Sequence, residues 1–478
     1  MKQVDVDVAI LGAGTAGLVA RRSAEKSGAR TIMIDPGPLG TTCARIGCMP
    51  SKLLIAAAEA AHHAQHAEIF GVNASVEIDG KKVMQRVKSE RDRFVGFVLD
   101  SVEKTRARGN FIQSRGEFVD EHTIKTEDGT LVKFKSAVIA TGSSPFVPPP
   151  YRKLSKKVLQ FNDDVFEWND LPESVLVVGT GVIALELGQA LDRLGVRTTI
   201  VGIDGLIGPL SDPKMLRAAH NVFEPKLDIH TDYTLDLIEE TDNGVHIEFT
   251  DPDGSTHKGD YQYVLMAAGR RPNIDKIGLE NLDLMKDERG KLVWDSYTTQ
   301  IGMSHIFLAG DANNFRPLLH EAADEGHIAG KNAASYPDVF NKHRTTSIGI
   351  VFTEPQIALV GQSWREMNCE ENRVGTVDYG KQGRARVMNL NEGLVRIYGE
   401  AHTGMLLGAE MLGPRVEHTA HLLAWAIEQK LTVSEVLAMP FYHPVFEEGI
   451  RTALRNLESN LKMARKPGDS CEEFGPGA

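Results

Sequence analysis

Cys43 and Cys48 stand with four residues between them within GTTCARIGCMPSKLL, residues 40–54, of a chain that has only four cysteines. Two thiols so placed can close a redox disulfide, share a metal ion, or remain plain reduced side chains. In a regular helix their offset gives a rise of about 7.5 Å, outside the usual Cα span of a disulfide. A disulfide therefore requires an irregular turn, and Gly47 supplies the freedom for one. A metal reading would recruit His62, His63 and His66 downstream. Metal-binding cysteines, however, usually come as a closely spaced pair matched by a second pair. These histidines lie in an alanine-rich run with no other ligand signal, and no metal is expected.

The elements around the pair point to bound dinucleotides. Residues 4–11 read as a strand that runs into Gly12-Ala13-Gly14-Thr15-Ala16-Gly17, followed by a helix-forming stretch to about Lys26. Residues 31–34 read as a second buried strand ending at Asp35. Gly12 allows the tight turn, Gly14 lets the backbone approach a pyrophosphate, and Gly17 lets helix and strand pack closely. The helix N-terminus then faces the phosphates, and Asp35 is placed for a ribose hydroxyl. The signature recurs as a strand at 174–178, the turn Gly179-Thr180-Gly181 with Val182, Ile183 and Ala184, a helix to Leu194 and a strand at 197–201. Two such sites suggest two dinucleotides meeting face to face, a flavin and a nicotinamide. The second site departs from pattern, because Gly202 stands where a ribose-binding acid is expected. The nearest carboxylate is Asp204, and residues 203–210 offer no Arg or Lys to grip a 2′-phosphate. NAD is the default expectation, with NADP not excluded. Three further strands end in glycine turns: at Ala140-Thr141-Gly142, at Gly269-Arg270 and at Gly310-Asp311.

At 478 residues the chain is expected to hold about two to four domains. No stretch approaches the ~20 apolar residues that span a bilayer. Acidic residues outnumber basic ones 65 to 53, for a net charge of −12. That disfavours nucleic acid or an anionic membrane as the main partner. Four cysteines are too few for a disulfide framework, and the first strand leaves no room for a signal peptide, so a cytoplasmic location is expected.

Residues 40–54 resemble the redox motif GGTCxNxGCxPSK of the class I pyridine nucleotide-disulfide oxidoreductases, a family that includes dihydrolipoamide dehydrogenases, glutathione reductases and mercuric reductases. The likeness continues in order along nearly the whole chain. The Gly12–Gly17 turn resembles the family's FAD motif, Ala140-Thr141-Gly142 its flavin-domain hinge, and GTGVIALE at 179–186 its nicotinamide motif. Ala309-Gly310-Asp311 resembles its AxGD motif, with residues 318–326 as the following helix, and His443-Pro444-Val445-Phe446-Glu447-Glu448 resembles HPTxSE. Thr41, Arg45, Phe441, Val445 and Glu447 depart from the family pattern.

The resemblance implies an α/β fold with two Rossmann-like domains, for FAD and NAD(P), and a C-terminal α+β dimerisation domain. The expected boundaries are 1–147 for the FAD domain and 148–274 for the NAD(P) domain. Residues 275–346 are expected to complete the FAD domain, 347–467 to form the interface domain, and 468–478 to be a tail. It also implies that Cys43 and Cys48 are the redox disulfide, with Cys48 at the flavin and Cys43 exchanging with substrate. His443 and Glu448 would be the acid–base pair, and Lys52 and Glu186 an ion pair beside the flavin. Further cofactor contacts are implied at Thr42, Gly116 and Leu319. By elimination the expected substrate is dihydrolipoamide, as the free molecule or on a separate lipoyl-bearing protein. Reduction of another disulfide, glutathione-like, is the alternative, and a flavin NADH oxidase or diaphorase is a reading of a different class. Cys369 shows no partner signal, and Cys471 beside two acids reads as a spare thiol. The expected assembly is a homodimer.

Overall fold

The computed structural model describes residues 2–368 and 370–463. Cys369, Cys471, the tail and the last residues of the C-terminal amphipathic run lie outside the described residues.

A five-stranded parallel sheet forms the first unit. Its spatial order is Ile306–Leu308, Ser136–Ile139, Val8–Leu11, Thr31–Ile34 and Phe111–Ile112. The central strands are buried along their whole length, as a sheet covered on both faces requires. The strand read over 4–11 is two strands. Gln3–Asp5 pairs with Leu131–Lys133 in a separate four-stranded sheet, and only Val8–Leu11 enters the parallel one. The break falls at Asp7, whose carboxylate takes the Arg30 backbone amide at 2.9 Å and ion-pairs with Arg30 and Lys135. Those bonds turn the chain from one sheet to the other.

Helix Thr15–Lys26 covers the parallel sheet, and helix Leu319–Ser335 lies against it. The two helices nearly touch. A Cβ on Gly326 would sit 2.3 Å from the Ala16 carbonyl oxygen, and one on Gly330 2.1 Å from that of Ala20. Glycine facing alanine at four-residue spacing permits this approach.

A second parallel sheet, in the order Leu159–Gln160, Tyr263–Met266, Ser174–Val178, Arg197–Val201 and Asp228–His230, repeats the plan. It is flanked by the antiparallel strands Thr234–Thr241, Gly244–Thr250 and Thr256–Tyr261. The chain crosses between the two units through an antiparallel pair, Ser143–Pro145 against Arg270–Pro272. Residues after 275 return to the first sheet through Ile306–Leu308.

The third unit is a five-stranded antiparallel sheet of Ile348–Val351, Gln356–Gly361, Leu406–Gly413, Leu394–Glu400 and Asn372–Asp378. The amphipathic run near the C-terminus is helix Glu448–Met463, which buries Leu454 and Leu457 against this sheet. Among the described residues, no helix is long and apolar enough to cross a membrane.

Candidate active site

Every glycine turn singled out in the first unit sits at the carboxyl end of a parallel strand. Gly12, Asp35, Ala140 and Gly310 follow four neighbouring strands, so they gather at one edge of the sheet, where open α/β sheets bind ligands. Gly12 has φ +109, and a Cβ there would strike the Ala140 carbonyl oxygen at 2.2 Å. Gly17 meets the Gly12 carbonyl oxygen just as closely, whereas Gly14 faces open space. Helix Thr15–Lys26 begins at Gly14 with no side-chain cap, which leaves first-turn amides for an anion. Asp35 accepts the Ala13 amide through Oδ2 and the Gly37 amide through Oδ1, each at 2.6 Å. Each oxygen keeps a lone pair for a ribose hydroxyl. Thr141 Oγ1 is buried there without a hydrogen-bond partner. The cradle fits a dinucleotide such as FAD. Gly116 opens the adjoining strand, where Ile34 and Ile124 leave no room for a side chain.

Asp311 is held through Ser143. Ser143 Oγ donates to its Oδ2 at 2.8 Å, and Arg270 donates to the Ser143 hydroxyl and carbonyl oxygens at 2.8 and 2.7 Å. The Gly310 amide and the Asn313 side chain donate to the fully buried Glu325 at 2.6 and 2.7 Å. Arg344 ion-pairs with Glu325 and Glu321. Glu325 and Arg344 carry no motif signature, and sequence reasoning missed them. Leu319 opens the helix that follows and is partly exposed.

The cysteines lie on either side of a break. Helix Thr42–Ile46 carries Cys43, Gly47 interrupts it, and helix Cys48–Gln65 restarts with Cys48 as its first residue. Both are free thiols, Cys43 half-buried and Cys48 exposed. The neighbouring Cys43 side chain is the largest influence holding the Cys48 thiol down to about 7, with Lys52 adding to the effect and burial opposing it. Cys48 in turn, with burial, pushes the Cys43 thiol far above its ordinary range. A helix N-terminus is also a favourable place for a thiolate. The pair is electrically asymmetric, one sulfur poised to ionise and the other keeping its proton.

Lys52 Nζ lies 2.6 Å from the buried Glu186 carboxylate and 4.6 Å from the Phe352 ring centroid. The other Glu186 oxygen accepts the Phe352 amide at 3.0 Å. Glu186 sits on helix Val182–Arg193 of the second unit, behind a turn built like the first. Gly179 has φ +120 and would collide with the Ala267 carbonyl oxygen, while Gly181 faces open space and leaves the helix uncapped. Val182 is exposed and Ile183 half-buried at that helix start. Gly269 closes the neighbouring strand end, and the Phe146 amide donates to its carbonyl oxygen at 2.9 Å. These features fit a second dinucleotide.

The close helix–strand approach belongs to Gly188, not to the third motif position at Ala184. A Cβ on Gly188 would sit 2.6 Å from Ile200 Cδ1. Gly202 has its own cause. A Cβ there would lie 2.4 Å from Thr180 Cγ2, so Thr180 occupies the volume an acidic side chain would need.

The histidines near the cysteines take other partners. His63 pairs with Glu354 at 3.2 Å, and His66 Nδ1 meets the His62 carbonyl oxygen at 2.8 Å. Farther along the chain, His443 Nδ1 lies 3.0 and 3.1 Å from the two Glu448 oxygens. The imidazole holds that carboxyl below its usual range. The His443 side chain is 79% exposed, and no hydrogen bond joins it to Cys43 or Cys48 of the same chain.

Comparison with known proteins agrees with this geometry. Residues 6–326 match the family model described as pyridine nucleotide-disulphide oxidoreductase, and residues 347–454 match that family's dimerisation domain. A dihydrolipoyl dehydrogenase 2 of Haloarcula marismortui is 30% identical over 94% of this chain and 95% of its own. A dihydrolipoyl dehydrogenase of Geobacillus stearothermophilus is 28% identical over 93% and 94%. Among solved structures, LpdA of Mycobacterium tuberculosis superimposes with a TM-score of 0.78 at 25% identity, covering 96% of this chain and 100% of that one. An HOCl-induced flavoprotein disulfide reductase of Escherichia coli shares the fold, with a TM-score of 0.76 at 21% identity over 95% and 99%. With two nucleotide cradles, a polarised dithiol between them and a dimerisation domain, the chain belongs to the pyridine nucleotide-disulphide oxidoreductases, enzymes that work with FAD and NAD(P).

Proposed function

We propose that this enzyme oxidises dihydrolipoamide with NAD+, giving lipoamide, NADH and a proton, and that its active sites are shared between two chains. The observation that carries the proposal is the polarised Cys43–Cys48 pair in a chain whose end-to-end relatives are dihydrolipoyl dehydrogenases. FAD, held at Gly12–Gly17, Asp35, Thr141 and Asp311, supplies the two-electron relay between the cysteine pair and the nicotinamide. The protein's own groups do the rest. A substrate thiolate attacks Cys43 of the oxidised pair, forming a mixed disulfide and releasing Cys48 as a thiolate. The second substrate thiol, deprotonated by a neutral imidazole, displaces Cys43 and closes lipoamide. Lys52 beside Cys48 favours its departure as a thiolate in this step. Cys43 is a poor thiolate, so the imidazole that took the proton of the second substrate thiol returns it to the displaced Cys43 sulfur. His443 fits that role, since Glu448 at Nδ1 leaves Nε2 as the basic nitrogen.

His443 and Glu448 both fall within the matched dimerisation domain, and His443 is exposed and makes no hydrogen bond to its own cysteines. We assign His443 to the partner subunit's cysteine pair. Four cysteines in 478 residues also favour a reducing, cytoplasmic setting. For the nicotinamide, no cation follows Gly202 up to residue 210, which favours NAD over NADP.

The test compares wild type with Cys48→Ser. The variant should retain FAD and accept electrons from NADH, but form no NADH from dihydrolipoamide. Anaerobic dithionite titration should take about four electrons per FAD in wild type and about two in the variant. Four electrons with glutathione disulfide as the better substrate would move the assignment to another disulfide. Two electrons in wild type would make the enzyme a diaphorase. Sharing is tested by refolding Cys48→Ser together with His443→Ala. Mixed dimers then carry one intact site, and activity should return to roughly a quarter of wild type if pairing is random.

A further inference from the structure

A second cluster of chemistry-bearing side chains lies in the nicotinamide-binding unit, far along the chain from the cysteines. His230 ends the edge strand Asp228–His230 of the parallel sheet, Asp251 follows strand Gly244–Thr250, and His257 lies on strand Thr256–Tyr261. His230 Nδ1 and His257 Nε2 stand 2.7 and 2.9 Å from the same oxygen, Asp251 Oδ2. One ligand atom from each residue lies within 4.8 Å of the others. His257 Nε2 is buried, yet it makes no hydrogen bond, because the approach to Asp251 is misdirected for an N–H donor. The nitrogen is close to the carboxylate without being aimed at it.

The surroundings fix the rings. His230 Nε2 faces Asp228 Oδ1 at 3.1 Å, so a carboxylate orients the imidazole from its far side. Thr199 donates to Asp228 and in turn accepts from Tyr261 at 2.7 Å. Phe249 stacks on His257 at 5.0 Å and meets His230 edge-on at 4.8 Å. A carboxylate behind a ligating histidine is the usual support of a metal site.

We propose that His230, Asp251 and His257 bind a divalent transition-metal ion, with Zn2+ the ion their two imidazoles and one carboxylate fit. Bonds of about 2.0–2.1 Å at tetrahedral angles place neighbouring ligand atoms roughly 3.3 Å apart. The present spacings reach that with small side-chain rotations, and the fourth position remains for water. The expectation of no metal rested on the cysteines and the histidines at 62–66, and this cluster involves neither. The ion would pin the antiparallel meander to the edge strand. That strand's His230 carbonyl oxygen accepts the Gly202 amide at 2.7 Å, so the clip would reach the nicotinamide cradle through one backbone bond.

The experiment uses FAD-loaded Cys43→Ser/Cys48→Ser enzyme with its remaining thiols alkylated, so that no sulfur competes for zinc. Zinc is titrated against a chromophoric chelator, and melting temperature is followed with and without the ion. The expected result is one zinc per chain and a zinc-dependent rise in melting temperature. Asp251→Asn and His257→Gln should abolish both, and Asp228→Asn should weaken affinity about 10–100-fold. His62→Gln should change neither. Metal-free melting temperatures of the variants establish that they fold. If a variant fails to fold, the Asp228→Asn titration decides. No zinc uptake, or uptake indifferent to residues 228, 251 and 257, overturns the proposal.

Discussion

The ionisation of Cys48 can be measured directly. Its thiol is held down to about 7, and the largest cause is the hydrogen bond from Cys43. At pH 7 about half of Cys48 is then thiolate in the reduced enzyme. An unperturbed thiol near 8.5 would be about 3% ionised, some fifteen-fold less. Cys43→Ala removes the donor and should carry the midpoint upward towards the ordinary range. Cys43→Ser keeps a hydroxyl donor and should leave it closer to 7. Lys52→Met should also raise the midpoint, by less, because Lys52 ranks behind the Cys43 bond among the lowering causes. The assay is thiolate ultraviolet absorbance of reduced enzyme between pH 5 and 10, each variant read against its own Cys48→Ser counterpart so that other groups cancel. A midpoint that stays near 7 in Cys43→Ala but rises fully in Lys52→Met would refute the reasoning. The lysine and the helix terminus, not the partner thiol, would then set the ionisation.

Gly326→Ala should destabilise the fold by about 1–3 kcal/mol and loosen FAD, because its Cβ would press on the Ala16 carbonyl oxygen at 2.3 Å; thermal melting and FAD release check both. Gly202→Ala should cost about 1–2 kcal/mol alone and much less beside Thr180→Ala, which removes the 2.4 Å clash; additive costs in a double-mutant cycle would contradict the steric account. Glu448→Gln should lower kcat/KM about tenfold or more, because the carboxylate that fixes the imidazole through Nδ1 is lost; steady-state kinetics checks it. Glu448 is held below the usual carboxylate range by its hydrogen bond with His443, so the carboxylate is charged at neutral pH and that bond is lost as acidification protonates it.

The parts of this enzyme that were legible in the sequence are those where the backbone imposes its own spelling. The turns at Gly12 and Gly179 admit only glycine, because carbonyl oxygens occupy the place of a side chain. The helix break at Gly47 could be anticipated from the disulfide span alone. Side-chain ties between distant segments leave no such mark. Glu325 and Arg344 meet only after the fold brings helix Leu319–Ser335 beside the Asp311 turn. The odd Gly202 was visible, but its cause was not, since Thr180 lies on another strand end. The His230–Asp251–His257 cluster was invisible for the same reason. Its residues have no ligand spacing and come together through the register that pairs Phe249 with His257.

Glu186 shows why the motif residues act together. One carboxylate oxygen binds Lys52 on the helix that begins at Cys48, and the other binds the Phe352 amide beside the interface sheet. The residue itself belongs to the helix behind the nicotinamide turn. A single buried side chain therefore joins the redox helix, the nicotinamide unit and the third unit. Its charge also bears on the chemistry, because Glu186 opposes ionisation of Cys48 while Lys52 favours it. Shifting the Lys52–Glu186 pair changes the field at the sulfur, and helix Val182–Arg193 carries one end of that pair. Helix Val182–Arg193 thus ties the nicotinamide turn to the helix that begins at Cys48 through one ion pair.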